Sequence, residues 1–159
     1  MEQKQLQQPS AAFIGASWLA FFTGTIAFNI GLWNAEMQLS EKGYYFTILM
    51  FGLFSAISVQ KAVRDQLEGI PVTNLYYGIS WFCTILSIVL LTIGLWNASL
   101  ERSEKGFYAM SFVLSIFSAI TVQKNTRDML HPNEYRSLVL NSQSRRRNIE
   151  SLPHTVQHP

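Results

Sequence analysis

GLWNAEMQLSEKGYYFTILMFGLFSAISVQKAVRD, residues 31–65, returns further along the chain as GLWNASLERSEKGFYAMSFVLSIFSAITVQKNTRD, residues 94–128. The two stretches are offset by 63 residues without a gap, and nineteen of their thirty-five positions are identical. Each copy keeps polar motifs at both ends of an apolar run. The pattern indicates one structural unit that is present twice, and duplication of a helical hairpin is its simplest origin.

Charged residues make up 14% of the chain, whereas soluble domains carry about 25%. They are excluded from four windows, 13–35, 44–60, 69–100 and 107–123. A bilayer core of about 30 Å is crossed by about 20 mostly apolar residues in a helix. The windows predict spans at 13–33, 44–60, 76–96 and 107–123, with the second and fourth extended to the Arg-Asp pairs that follow them. A soluble bundle would show a charged stripe on each helix, which is missing here.

The predicted fold class is therefore all-α and integral to the membrane. Four transmembrane helices form two tandem antiparallel hairpins, because the connections within each repeat are short, and the repeats are related by a parallel pseudo-twofold. The predicted segments are a polar N-terminal tail (1–12), a first repeat (13–65), a linker (66–75), a second repeat (76–128) and a polar, basic C-terminal tail (129–159).

The lysines and arginines predict the orientation. Nine of the twelve lie at the end of the predicted bundle that carries both termini and the central linker, and three lie in or next to the hairpin loops. The positive-inside rule then places both termini in the cytoplasm. Trp33 and Trp96, at the ends of the first and third spans, suit the membrane interface.

The repeated polar signature has a structural and a functional interpretation. Ser40 and Ser103 are predicted helix N-caps, and Glu41 and Glu104 favour the positive end of a helix dipole. Alternatively, the two glutamates form a paired outer site for a cation. On the opposite side, Lys61 and Asp65 are predicted to pair across one helical turn, and the basic residues there are expected to contact anionic lipid. The signature comprises Trp33, Asn34, Glu41, Lys42, Gly43, Gln60, Lys61, Arg64 and Asp65, repeated as Trp96, Asn97, Glu104, Lys105, Gly106, Gln123, Lys124, Arg127 and Asp128.

Small residues four apart predict close helix packing, because membrane helices associate through faces that let their backbones approach. The predicted rows are Gly52 and Ala56 on the second span, Ser115 and Ala119 on the fourth, and Ala16, Ala20 and Gly24 on the first. Asn29, Gln60 and Gln123 are candidates for hydrogen bonds between helices or, in a transporter, for a polar path.

The sequence contains no recognisable catalytic or ligand-binding motif. No Asp, Glu, Lys, Arg or His lies within the four charge-free windows, and neither a nucleotide-binding loop nor a His/Cys metal spacing is present. We therefore predict no catalytic residue, no cofactor, no metal and no nucleic-acid partner. The expected partners are the lipid bilayer, anionic lipids at the cytoplasmic face, and a second copy or another membrane protein.

With these motifs in view, the chain resembles the YiaA/YiaB family of bacterial inner-membrane proteins. The likeness rests on GLWNA, EKGYY, GLFSA and QKxxRD in the first repeat and on their counterparts in the second, and it extends over about residues 9–130. It implies a multi-pass protein of the bacterial inner membrane built from two two-helix units, and it implies no catalytic residue.

Three functional hypotheses follow. The favoured one is a non-enzymatic membrane scaffold or accessory protein, with a link to envelope stress as a further hypothesis. The alternative is a small oligomeric transporter or channel. A membrane enzyme comes third, because the chain offers no acid–base pair.

Overall fold

The computed structural model describes residues 9–130, with side chains described as far as Thr126. This part of the chain consists of four α-helices, α1 (Ala11–Asn34), α2 (Leu39–Leu67), α3 (Asn74–Asn97) and α4 (Arg102–Leu130). Each is long and apolar enough to cross a membrane. The predicted four-span, all-α architecture is confirmed. The predicted tails fall largely on residues 1–8 and 131–159, outside the described residues.

The helices are longer than the predicted spans. α1 begins at Ala11 because the Ser10 hydroxyl accepts a hydrogen bond from the Phe13 N–H at 3.2 Å. α2 begins five residues before the predicted span, and it ends at Leu67 because Gly69 adopts a φ of +76°. In that left-handed turn the Ile70 N–H donates to the carbonyl of Asp65 at 2.9 Å.

The principal packing joins helices of different repeats. α2 packs along most of α3 but contacts α1 only sparsely. α1 lies antiparallel to α4, with Gly24 against Ser115 and Gly31 against Phe107. In α3, Gly94 lies against Tyr44 of α2, which corresponds to the Gly31–Phe107 contact after the 63-residue offset. The first helix of each repeat therefore packs on the second helix of the other repeat.

α2 and α4 meet as parallel neighbours in the centre. The rings of Tyr45 and Tyr108 stack with centroids 6.2 Å apart, and Gly52 lies against the ring of Phe112. Phe28 of α1 packs on both Tyr108 and Phe112, with ring centroids 5.4 and 6.5 Å away. Because Phe28 and Phe112 are at most 2% exposed, this aromatic layer closes the middle of the bundle.

The small residues of α2 and α4 lie in this interior. Gly52, Ala56, Ser115 and Ala119 are all buried. On α1 the predicted row is wrong at its first position, because Ala16 is exposed and the neighbouring Ser17 is buried instead. The true buried row of α1 is Ser17, Gly24, Phe28 and Leu32.

Most of the buried serines donate their hydroxyl hydrogen to a carbonyl of their own helix. Ser115, for example, donates to the carbonyl of Ser111 at 2.7 Å, and Ser80 donates to the carbonyl of Tyr76 at 2.8 Å. Such bonds leave the short side chain compact and hide its hydroxyl from lipid. The interior can therefore use serine as a small packing residue without a partner on another helix.

The outer surface of the bundle is strongly apolar. Large side chains are more than half exposed along the outer faces of α1 and α3, among them Leu19, Ile26, Phe82 and Ile88. Trp33 and Trp96 are 83% and 84% exposed at the ends of α1 and α3. In water such a surface would aggregate, whereas in a bilayer it contacts hydrocarbon, with the tryptophans at the interface.

Candidate functional site

Two surface pockets lie at the hairpin end, which we define as the end of the bundle that carries the connections 35–38 and 98–101. Their volumes are about 290 and 370 Å³. The first is lined by Ser40, Glu41, Tyr44, Tyr45, Gly94, Asn97 and Ala98. The second is lined by Ser103, Glu104, Phe107, Tyr108, Gly31, Asn34 and Ala35.

The two linings correspond position by position. Six of the seven pairs are identical after the 63-residue offset, and only Tyr44 and Phe107 differ. Each pocket takes four residues from the start of a second helix and three from the end of the other repeat's first helix. The repeated signature is therefore brought together across the repeats rather than within one hairpin.

The two glutamates hold the starts of α2 and α4. Glu41 Oε2 accepts the backbone N–H of Gln38 at 2.9 Å, and Glu104 Oε2 accepts that of Glu101 at the same distance. The predicted N-cap role of Ser40 is wrong, because Gln38 is the N-cap and Ser40 lies in the first turn. Its counterpart in the second repeat, Ser103, likewise lies inside the helix, in the first turn of α4.

The structure does not bring the two carboxylates into one site. Glu41 lines one pocket and Glu104 the other. Within the described residues no group of three or more potential metal ligands occurs. The geometry therefore favours the capping interpretation over a paired cation site.

The lysines of the signature connect the helix ends of each hairpin. The Lys42 ammonium donates to the carbonyl of Trp33 at 2.8 Å, and that of Lys105 to the carbonyl of Trp96 at 3.4 Å. The last carbonyls of a helix lack partners inside it, and a cation there also complements the helix dipole. The motif thus fixes the turn from the end of one helix to the start of the next.

The asparagines act on the same helix ends. Asn34 and Asn97 donate to the carbonyls of Ile30 and Ile93 at 2.9 and 2.8 Å. Gly31 and Gly94 let the aromatic rings approach, since a Cβ on either would lie 2.7 Å from a ring carbon. The Tyr44 hydroxyl adds a bond to the carbonyl of Leu90 at 2.8 Å. Phe107 has no hydroxyl, so the second pocket lacks this bond.

We expect Lys42→Met to lower the free energy of unfolding by about 0.5–1.5 kcal/mol, the usual contribution of one hydrogen bond. The Trp33 carbonyl would lose its cationic donor while the bulk of the side chain is kept. Thermal unfolding in detergent measures the change. Lys61→Met is the control, because Lys61 is exposed and makes no hydrogen bond or ion pair among the described residues. Equal losses in both variants would contradict a role of Lys42 at the turn.

The opposite end of the bundle, which carries the α2–α3 linker, departs from the predicted pairing. Lys61 and Asp65 do not form an ion pair within the described residues. Arg64 pairs with Glu68 instead, with Nε and Oε1 3.1 Å apart. The pair is partly exposed and contributes little to stability. Lys124 is exposed at the equivalent position of α4, and the side chains of Arg127 and Asp128 lie outside the described residues.

The structure also places a polar contact that the sequence analysis missed. The Asn125 side chain donates to the Ser17 hydroxyl at 3.0 Å, and both residues are buried. A comparison of the two repeats could have revealed this contact. The position equivalent to Asn125 is Ala62, so the second repeat has an amide where the first has a methyl group on a buried face. Gln123 lies two residues before Asn125, and its counterpart Gln60 lies two residues before Ala62. Both glutamines are half-buried, and no hydrogen bond joins them in the described part of the chain.

Asn29 does not share a path with these glutamines. It lies five residues from the hairpin end of α1, whereas Gln60 and Gln123 lie towards the other ends of α2 and α4. The buried rings of Phe28 and Phe112 fill the interior close to the level of Asn29. Asn29 is therefore separated in depth from the two glutamines.

Comparison with known proteins agrees with the two-repeat architecture. A family model described as the yiaA/B two-helix domain matches residues 13–65 and again residues 76–128. The matched bounds coincide with the two repeats that were predicted from the sequence.

Three curated membrane proteins are similar to the chain. The inner membrane protein YiaA of Escherichia coli (strain K12) is 57% identical over 119 residues, 75% of this chain and 82% of that protein. The uncharacterized membrane protein YubF of Bacillus subtilis (strain 168) is 39% identical over 67 residues, 42% of this chain and 77% of its own length. The inner membrane protein YiaB of E. coli is 29% identical over 100 residues, 62% of this chain and 84% of YiaB. No solved structure matches the chain.

Proposed function

The chain belongs to the yiaA/B two-helix family of membrane proteins, and from this premise we propose that it acts as a non-enzymatic scaffold or accessory protein of the inner membrane. One observation carries the proposal. The polar groups of the repeated signature are engaged in holding helix ends, as in the bonds of Glu41 to Gln38 and of Lys42 to Trp33. Groups used in this way shape a bundle, and they are poorly placed to act on a substrate.

The working part of such a scaffold is its outer surface. The apolar faces of α1 and α3 are available to other membrane helices, while the aromatic layer keeps the bundle rigid. Helix association in lipid depends on shape and on polar contacts rather than on hydrophobicity. A bundle held together independently of its outer faces can present those faces to a partner. A role in envelope stress stays a prediction.

Crosslinking in native membranes followed by copurification tests the proposal. A scaffold is expected to retain another membrane protein in a fixed ratio. Leu19→Ala and Phe82→Ala form a matched pair, since they are equivalent positions of the two repeats and are 70% and 65% exposed. Loss of the partner in one variant and not in the other would locate the docking face. Recovery of the full-length protein without any other protein at fixed ratio would contradict the proposal.

A small oligomeric transporter is the second candidate, and a specific observation favours it. Gln123 Oε1 and Thr25 Oγ1 are buried without a hydrogen-bond partner among the described residues. Such groups can line a polar path when several copies assemble. Flux measured in proteoliposomes and abolished by Gln123→Leu, with the fold intact, would favour transport over the scaffold.

We also propose that both termini lie in the cytoplasm, supported by nine basic residues at the end of the bundle that carries the termini and the linker against three at the hairpin end. Lys61 and Lys124 would then face anionic lipid headgroups. Reporter fusions after Glu36 and at the C-terminus test this orientation. A C-terminal reporter that works only outside the cytoplasm would overturn it.

A further inference from the structure

The outward face of α1 carries a groove at the level of Asn29. The groove has a volume of about 480 Å³ and is formed by α1 alone. Its lining residues are Thr25, Ile26, Asn29, Ile30, Trp33 and Asn34. Ile26, Ile30 and Trp33 are 52%, 55% and 83% exposed. A polar amide therefore lies within an apolar ridge that the bundle itself does not cover.

The hydrogen bonds of this groove are incomplete. Asn29 Nδ2 donates to the carbonyl of Thr25 at 2.8 Å. The amide has a second N–H and a carbonyl oxygen, and neither has a partner among the described residues. Thr25 Oγ1 is buried and also has no partner there. On the outward side of α1, the Asn29 amide thus presents one N–H donor and one carbonyl acceptor that the fold leaves unused.

The depth of Asn29 makes these groups costly. α1 has 24 residues and is about 36 Å long, so it exceeds a hydrocarbon core of about 30 Å by roughly 3 Å at each end. Asn29 lies five residues from the end of α1, which is about 7.5 Å along the axis. Its amide therefore lies inside the hydrocarbon, where lipid offers no hydrogen-bonding partner.

The equivalent face of α3 lacks this feature. The counterpart of Asn29 is Thr92, whose hydroxyl donates to the carbonyl of Ile88 at 2.8 Å. A threonine bonded to its own helix can face lipid without an unpaired group. The two repeats therefore differ at this position: of the described parts of α1 and α3, α1 carries an exposed-face amide with unused hydrogen-bonding groups, and α3 carries a threonine that is bonded to its own helix.

We propose that α1 pairs with α1 of a second copy of this chain through Asn29. Two copies in one membrane have the same orientation, so their Asn29 side chains lie at the same depth. A carboxamide is self-complementary, because each can donate one N–H to the oxygen of the other across a twofold axis. The inference goes beyond the scaffold role and does not depend on it. It makes the protein a dimer with α3 left free on each side.

Cysteine crosslinking tests the pairing in the full-length chain. In a Cys83→Ser background, Ile26→Cys and Ile30→Cys place single thiols on the α1 face. Val89→Cys and Ile93→Cys are the matched controls, being the equivalent positions of α3 with 43% and 52% exposure. Purified protein in lipid vesicles is treated with a mild oxidant, and dimers are read on a denaturing gel. We expect a dimer from at least one α1 position and only background from both α3 positions.

A second set of variants assigns the effect to the amide. Asn29→Leu is expected to reduce the α1 dimer at least tenfold, and Asn29→Gln to restore much of it because the carboxamide is kept. Thr92→Leu is expected to leave it unchanged. Unfolding curves show whether each variant remains folded. Equal crosslinking on α1 and α3, or a dimer that survives Asn29→Leu, overturns the proposal. A product that forms in native membranes with a different protein, and not in vesicles, overturns it as well.

Discussion

Gly24→Ala is expected to lower the free energy of unfolding by on the order of 1–3 kcal/mol, although the change adds a single methyl group. A Cβ at Gly24 would lie 2.8 Å from the hydroxyl of Ser115 and 2.9 Å from its backbone nitrogen. It would also lie 3.1 Å from the backbone oxygen of Ser111. Backbone atoms cannot rotate aside as a flexible side chain can, so α1 and α4 would have to separate.

Gly15→Ala is the control for this change, because it is the same substitution on the same helix. No atom lies within 4 Å of a Cβ at Gly15, and alanine has the higher helix propensity. We expect Gly15→Ala to be neutral or slightly stabilising. Thermal unfolding of both variants in detergent compares them. Similar losses would mean that flexibility of the glycine, rather than contact with α4, is what α1 requires.

Phe112→Ala is expected to cost on the order of 2–4 kcal/mol. Its ring is 2% exposed, fills the space above Gly52 and packs on Phe28, so it joins α1, α2 and α4 at one level. Truncation leaves a cavity where lipid cannot enter. The transfer term known from soluble proteins is smaller here, because lipid already surrounds the side chain when the helices separate. The cavity accounts for most of the expected loss.

Phe117→Ala is the matched control on α4. Phe117 is 68% exposed, so it contacts the surroundings of the bundle rather than its interior. We expect a change of less than about 0.5 kcal/mol, as for surface positions generally. Titration with SDS in mixed micelles gives the unfolding free energy of both variants. A loss of stability at Phe117 as large as that at Phe112 would contradict the assignment of Phe112 to the interior and of Phe117 to the outer surface of the bundle.

Four spans and two repeats could be predicted from the sequence because both depend on local composition. The charge-free windows mark the membrane segments, and the 63-residue offset aligns the repeats. The first and last residues of the helices were harder to predict from the sequence. α2 begins at Leu39 because the side chain of Glu41 reaches back to the Gln38 N–H, and a window defined by excluded charge cannot include the charged first turn.

The packing between repeats could not be predicted in the same way. A short loop makes α1 and α2 neighbours along the chain, but it does not decide which faces are in contact. That depends on complementary shapes far apart in sequence, such as Gly31 against Phe107. The small residues of α2 were found because their spacing is regular. Ser17 was missed because its partner, Asn125, is 108 residues away.

The candidate site could be predicted from the sequence only in part. Residue types at the hairpin end suggested helix caps, and Glu41 and Glu104 form them, although the predicted Ser caps do not. Two pockets of nearly identical lining became visible only when the end of one repeat's first helix met the start of the other's second. Each copy of the motif contains one half of each pocket, and its order along the chain does not reveal that the halves combine across the repeats.

The central claim is that each repeat packs its first helix on the second helix of the other repeat. A protease site inserted at the exposed Gly69 of the linker, in a Cys83→Ser background, lets the two repeats be cut apart after crosslinking. Ser17→Cys with Asn125→Cys is expected to keep the cleaved halves joined under oxidising conditions, because those two side chains are in contact. Ser17→Cys with Ala62→Cys, the equivalent pair within one repeat, should leave the halves separate. Halves that separate in the first variant, while the thiols of the second pair with each other, would contradict the account.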